Sequence, residues 1–198
     1  MLISARTKGA LVAAAASLTT LLAMALAPAA NAGHAYGSWV HWSDGAGGGP
    51  GYVTLVDYTG DQWPVYSAAI EWDRPDPLNV IYRNGSCGGF GHCVAVRAEQ
   101  FALACGERAG QTILIRDGNH LSADTHVRLN TRCNDRADRE QRVITCHEEG
   151  HVMGLGEQPE SLEGDTCMGA QAGELGQATD KPGPHDFGAI RNIYGHQD

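Results

Sequence analysis

Six cysteines (Cys87, Cys93, Cys105, Cys133, Cys146 and Cys167) constrain the fold of this chain more than any other feature. An even number in an exported chain reads as a set of disulfides, which staple loops that a core cannot hold. A cysteine-ligated metal site is the rival use, but no CxxC pair is present and the spacings are irregular. Location suggests a pairing. Cys87 and Cys93 flank Gly88-Gly89-Phe90-Gly91-His92 and can close a small loop. Cys146 and Cys167 each precede a chemically interesting residue, His147 and Met168, and can be joined, which leaves Cys105 with Cys133.

Export is itself an expectation from the first residues. Arg6 and Lys8 precede an apolar run from Ala10 to Leu26, followed by Pro28-Ala29-Ala30-Asn31-Ala32. Small residues at Ala30 and Ala32 fit signal peptidase, so residues 1–32 read as a signal peptide cleaved after Ala32. The run is too diluted by alanine for a good membrane anchor, and no cysteine follows the cleavage site to carry a lipid. The expected product is secreted and extracellular, without stable membrane association, and a monomer.

Charge narrows the partners. The chain has 14 basic and 23 acidic residues, a net charge of −9. Loss of Arg6 and Lys8 with the signal peptide makes the remainder more acidic still. Nucleic acid and anionic membrane are therefore poor partners.

Along the chain, residues 33–51 are rich in Gly, His and Trp and read as an extended N-terminal arm; 52–198 read as a single domain. Tyr52–Tyr58 is an expected strand. From Gln62 to Arg74, the positions Trp63, Tyr66, Ala69, Ile70 and Trp72 suggest one helical face. Asn79–Arg83, His92–Ala98 and Gln111–Arg116 read as strands, the last ending in an Asp117-Gly118-Asn119 turn. Thr125–Asn130 alternates, with Val127 and Leu129 on one side and His126 and Arg128 on the other, as in an edge or next-to-edge strand. A helix is expected from about Asp135 to Met153, capped by Asn134 or Asp135 and stopped by Gly154. Gly156–Pro184 is expected to be irregular, and Asp186–Tyr194 to be a final helix, with His185 able to cap it.

The chemistry concentrates in His147-Glu148-Glu149-Gly150-His151. Residues four apart on a helix lie on the same face, so both imidazoles can reach one metal ion. Glu148, beside them, can take a proton from a zinc-activated water and pass it to a leaving amine. Gly154 lets the backbone turn back towards the metal, which brings Glu157 within range as a third ligand.

From His147 through Gly154 the chain resembles the metzincins, whose pattern is HExxHxxGxx followed by His or Asp. Asp165-Thr166-Cys167-Met168-Gly169 is similar to their Met-turn, with Met168 as an apolar floor beneath the metal. The stretch from His185 to Tyr194 resembles the last helix of small bacterial matrixin-like secreted peptidases. The resemblance is specific between about 125 and 196, loose from 52 to 124, and absent from 33 to 51. It implies an α+β fold of the zincin kind: a small twisted mixed sheet with an N-terminal helix, an active-site helix and a C-terminal helix. It also implies a secreted zinc-dependent endopeptidase acting on peptides or proteins. Zn2+ would be held by His147, His151 and Glu157, Glu148 would act as general acid/base, and an extended peptide would lie along the edge strand ending near Asn130.

Two departures stand out. The third ligand position holds Glu157 where the family has His or Asp; it either ligates zinc or is an exposed surface residue beside a weak site. Ala170 stands where many relatives carry a tyrosine, so oxyanion stabilisation would fall to the zinc. A third ligand from Glu174 on a second helix is the competing arrangement, disfavoured by the glycines and prolines around it. The alternative functions are a zinc-binding pseudopeptidase and a disulfide-stapled interaction domain without turnover.

Overall fold

The computed structural model describes residues 41–43, 51–74, 78–89, 92–157, 166–169 and 178–195. All of these belong to the unit Ala32–Asp198. The expected signal peptide, most of the N-terminal arm, Glu174, Asp165 and Ala170 lie outside the described residues.

The architecture is mixed α+β. Strand β1 (Gly51–Asp57) pairs in parallel with β2 (Leu78–Asn84) on one side and β3 (His92–Glu99) on the other. It is buried along most of its length, as the β-branched and aliphatic sequence of a central parallel strand requires. The remaining strands are β4 (Gly110–Ile113), β5 (Arg116–Asp117), β6 (His120–Leu121) and β7 (His126–Asn130). Strand β7 runs parallel to β3, and β4 runs antiparallel to β7, which gives a five-stranded order β2-β1-β3-β7-β4. Thr125–Asn130 therefore supplies a next-to-edge strand, and the outer strand is β4. The docking edge expected near Asn130 is corrected accordingly: β4 folds back over β7 and occupies its free side.

Parallel neighbours need a crossover, and α1 (Val65–Trp72) supplies the one between β1 and β2. Its buried face is Val65, Ala68, Ala69 and Trp72, the i, i+3, i+4, i+7 stripe of a helix that begins after Pro64. Tyr66 and Ile70, expected inward, are 58% and 47% exposed. The expected face was phased from Trp63, which is buried but precedes the first helical turn.

Helix α2 (Asp138–Val152) starts three residues later than the sequence suggests and has no side-chain cap. The delay has a local cause. A short 3-10 turn at Thr131–Cys133 is capped by the Asn130 side chain, which accepts from Arg132 N–H. Arg136 N–H then donates to Cys133 O, keeping the chain in a turn. The expected strand Gln111–Arg116 also divides. Ile115 is drawn away from β4 by Thr125, whose Oγ1 bonds both its N–H and its carbonyl, and β5 pairs instead with β6 across a turn at Gly118. Helix α3 (Pro184–Tyr194) ends the described chain. Its first turn is capped by Asp186, which accepts from Gly183 N–H, and not by His185.

The three disulfides are Cys87–Cys93, Cys105–Cys133 and Cys146–Cys167, the pairing that location suggested. Among the described residues no helix is long and apolar enough to cross a membrane.

Candidate metal centre

Helix α2 carries the site on its last turns, and the way it ends is what shapes the rest. Gly154 adopts φ 87°, and two bonds close the helix: Gly154 N–H to His151 O at 3.0 Å and Leu155 N–H to Gly150 O at 3.2 Å. This is the Schellman arrangement, which a residue without Cβ accommodates at the left-handed position. The reversal buries Leu155 and returns the chain towards the histidines, so that Glu157 follows at once.

His147 and His151 are fixed at both ends. His147 Nδ1 donates to Cys167 O at 3.0 Å, and His151 Nδ1 donates to Leu155 O at 2.8 Å. A carbonyl only accepts, so these bonds assign the proton of each neutral ring to Nδ1 and leave a lone pair on each Nε2. The two Nε2 atoms face one another at 3.0 Å. Glu157 brings its carboxylate to 3.5 Å from His147 Nε2 and 3.4 Å from His151 Nε2. Three electron-pair donors thus converge with no hydrogen to share among them unless a ring takes a second proton.

That convergence is the test of fit for a cation. Tetrahedral zinc with bonds of about 2.0–2.1 Å holds its ligand atoms about 3.3–3.4 Å apart. The two Nε2 atoms are 3.0 Å apart, and each faces its own carboxylate oxygen at close to that spacing, Oε2 for His147 at 3.5 Å and Oε1 for His151 at 3.4 Å. The donor set of two imidazoles and one carboxylate suits zinc, and both rings have the backbone partners on Nδ1 that orient metal-binding histidines. His147, His151 and Glu157 are the one group of three or more potential ligands among the described residues.

Protonation of these side chains follows the same geometry. Burial pushes the His147 imidazole down, but the Glu157 hydrogen bond and the charges of Glu148 and Glu157 outweigh it, and its pKa is raised. Partial burial would raise Glu157, yet hydrogen bonds and charge from the two histidines hold its carboxyl far below the usual range. The Glu157 side chain remains 67% exposed. Glu157 is thus an exposed residue whose carboxylate lies beside both imidazoles.

Glu148 is buried at the sheet side of the helix, with Oε2 2.7 Å from Thr112 Oγ1 on β4. Beneath the helix, Met168 is fully buried. A Cβ on Gly150 would collide with Met168 Sδ and lie 2.7 Å from Trp72 Cζ2, so the glycine is what admits this floor. The turn bearing Met168 is held in series: Met168 N–H donates to Thr166 Oγ1 at 2.9 Å, and Thr166 Oγ1 donates to Asp186 Oδ2 at 2.5 Å. The Cys146–Cys167 bridge fastens that turn to α2 next to His147.

The sequence reading missed Gly110, Thr112 and Gly150 and the role of Asp186. A glycine inside a helix costs about 1 kcal/mol relative to alanine, and that cost was the available signal for Gly150. Thr112 carries no local signal, because threonine suits any strand.

Glu149 is a different kind of surprise. It is fully buried, and neither carboxylate oxygen has a hydrogen-bond partner. Burial, then the charge of Asp57, raises its pKa well above the ordinary carboxylate value. Burying an unpaired polar group costs about 1–3 kcal/mol. Glu149→Leu should therefore raise stability by about that amount in urea unfolding at neutral pH. An unchanged or lower midpoint would mean that the carboxyl has a partner in solution.

No protein-family model matches the chain, and no curated protein matches its sequence.

Proposed function

We propose that this protein is a secreted zinc-dependent endopeptidase of metzincin type. The observation that carries the reading is the convergence of His147 Nε2, His151 Nε2 and the Glu157 carboxylate, with Glu148 on the adjoining position of the same helix. Support also comes from the Met168 floor, from a mostly parallel sheet whose antiparallel outer strand runs beside the helix, and from three disulfides of the kind common in oxidising compartments.

In this reading the three side chains hold Zn2+, which supplies the Lewis acidity that makes water nucleophilic at neutral pH and polarises a carbonyl. The chain's own groups do the rest. Glu148 takes the proton of the attacking water on its carboxylate and delivers it to the leaving amine. The Nδ1 bonds to Cys167 O and Leu155 O keep both rings aimed at the centre. Strand β4 offers its outer edge to an extended peptide, which would lie alongside Thr112 and Glu148.

The deciding measurement is zinc per chain, wild type beside Glu157→Ala. We expect one equivalent in the wild type and a clear loss in the variant after dialysis against a competing chelator. Equal binding would mean that the third ligand lies elsewhere. No zinc in either would sink the enzyme reading and leave a disulfide-stapled binding domain.

A further inference from the structure

Strand β4 does more than border the site. Gly110 and Thr112 are two residues apart on it, so they share one face, and that face meets Glu148. A Cβ at Gly110 would lie 2.6 Å from both Cγ and Oε1 of Glu148, closer than carbon and oxygen can approach. The absence of a side chain at 110 therefore makes the space that the Glu148 side chain fills. Thr112 Oγ1 lies 2.7 Å from Glu148 Oε2 and 2.8 Å from Glu148 O, the backbone carbonyl of the same residue. A hydroxyl has one proton and cannot donate to both oxygens at once.

We propose that Thr112 is a positioning residue for Glu148, holding its carboxyl in one orientation both before and after it takes up a proton. This rests on the peptidase reading above. While Glu148 is a carboxylate, Thr112 O–H donates to Oε2. When the O–H bond of the attacking water breaks and its proton passes to Oε2, Oε2–H donates to Thr112 Oγ1. The threonine proton then turns to Glu148 O. When the proton moves on to the leaving amine, the hydroxyl turns back. One rotating O–H thus keeps Oε2 partnered throughout the cycle, and no proton is gained or lost by Thr112. Valine would serve the strand equally well and cannot do this.

The test compares wild type, Thr112→Val, Thr112→Ser and Gly110→Ala, each zinc-loaded, on an unstructured fluorogenic peptide. A misplacement of about 1 Å can cost about 100-fold, so Thr112→Val should lower kcat by roughly 10- to 100-fold. KM, zinc stoichiometry and melting temperature should stay near wild type. Thr112→Ser should restore kcat to within a few-fold, and Gly110→Ala, where it folds, should lose kcat like the valine variant. Wild-type kcat in Thr112→Val, or a serine variant no better than valine, overturns the proposal. If zinc-loaded wild type hydrolyses nothing, the peptidase reading fails separately, and crystal structures of wild type and Thr112→Val decide the positioning. A Glu148 side chain displaced in the variant supports it; an unmoved one overturns it.

Discussion

Glu148→Gln should keep one zinc per chain and lose peptide hydrolysis by about two to four orders of magnitude, the usual contribution of a positioned acid/base. The substitution preserves shape, and the amide can still accept from Thr112 O–H through its oxygen, so packing against β4 survives. What it removes is the capacity to carry a proton. The zinc content matters as much as the rate, because Glu148 is not among the converging donors. A variant that lost both would place Glu148 in the metal shell. A variant that kept the rate would assign the proton transfer to another group and dismantle the mechanism given above.

The second large effect concerns the Cys146–Cys167 bridge. It closes a sequence separation of 21 residues, for which a disulfide stabilises by about 3 kcal/mol. Replacing both cysteines by alanine should therefore shift the unfolding midpoint substantially. The loss should reach the metal as well, since Cys167 O is the acceptor that orients His147 Nδ1. Partners of this type commonly change metal affinity by about 10–100-fold. Competition against a chelator of known affinity measures it. Unchanged affinity in a destabilised double variant would show that Thr166 and Asp186 hold the turn without the bridge.

Local rules made much of this legible and failed where distant residues intervene. The spacing of His147 and His151 and the glycine at 154 describe a helix end with two imidazoles on one face, and the geometry follows those positions closely. Val127 and Leu129 were readable as inward because a strand has a period of two. The helix start was not, because Asn130 and Cys133 hold a turn that periodicity does not register. The face of α1 was misread for a similar reason, since Pro64 sets the phase and Trp63 contributes to the core from outside the helix. Gln111–Arg116 looked continuous because its propensity is uniform; Thr125 divides it through bonds made across the fold. Within the candidate site, His147 and His151 announce themselves by spacing. Thr112 and Gly110 matter only through an approach of two elements that are 36 residues apart in sequence at their closest bond.

One detail of α2 bears on when the site comes into being. Trp42 Nε1–H donates to Val152 O at 2.9 Å, and Tyr194 O–H donates to Met153 O at 3.2 Å. The carbonyls left open where the helix stops are thus claimed by two residues lying 110 positions before and 41 positions after them. His151 sits immediately before those carbonyls, and Glu157 hangs from the reversal just beyond. A chain emerging from synthesis can present His147, Glu148 and His151 in order long before Tyr194 exists to finish that end of the helix. The end of the helix that carries the candidate ligands is therefore finished only when residues from both ends of the described chain are in place. A growing or clipped chain lacking its final helix carries His147, His151 and Glu157 without the Tyr194 contact.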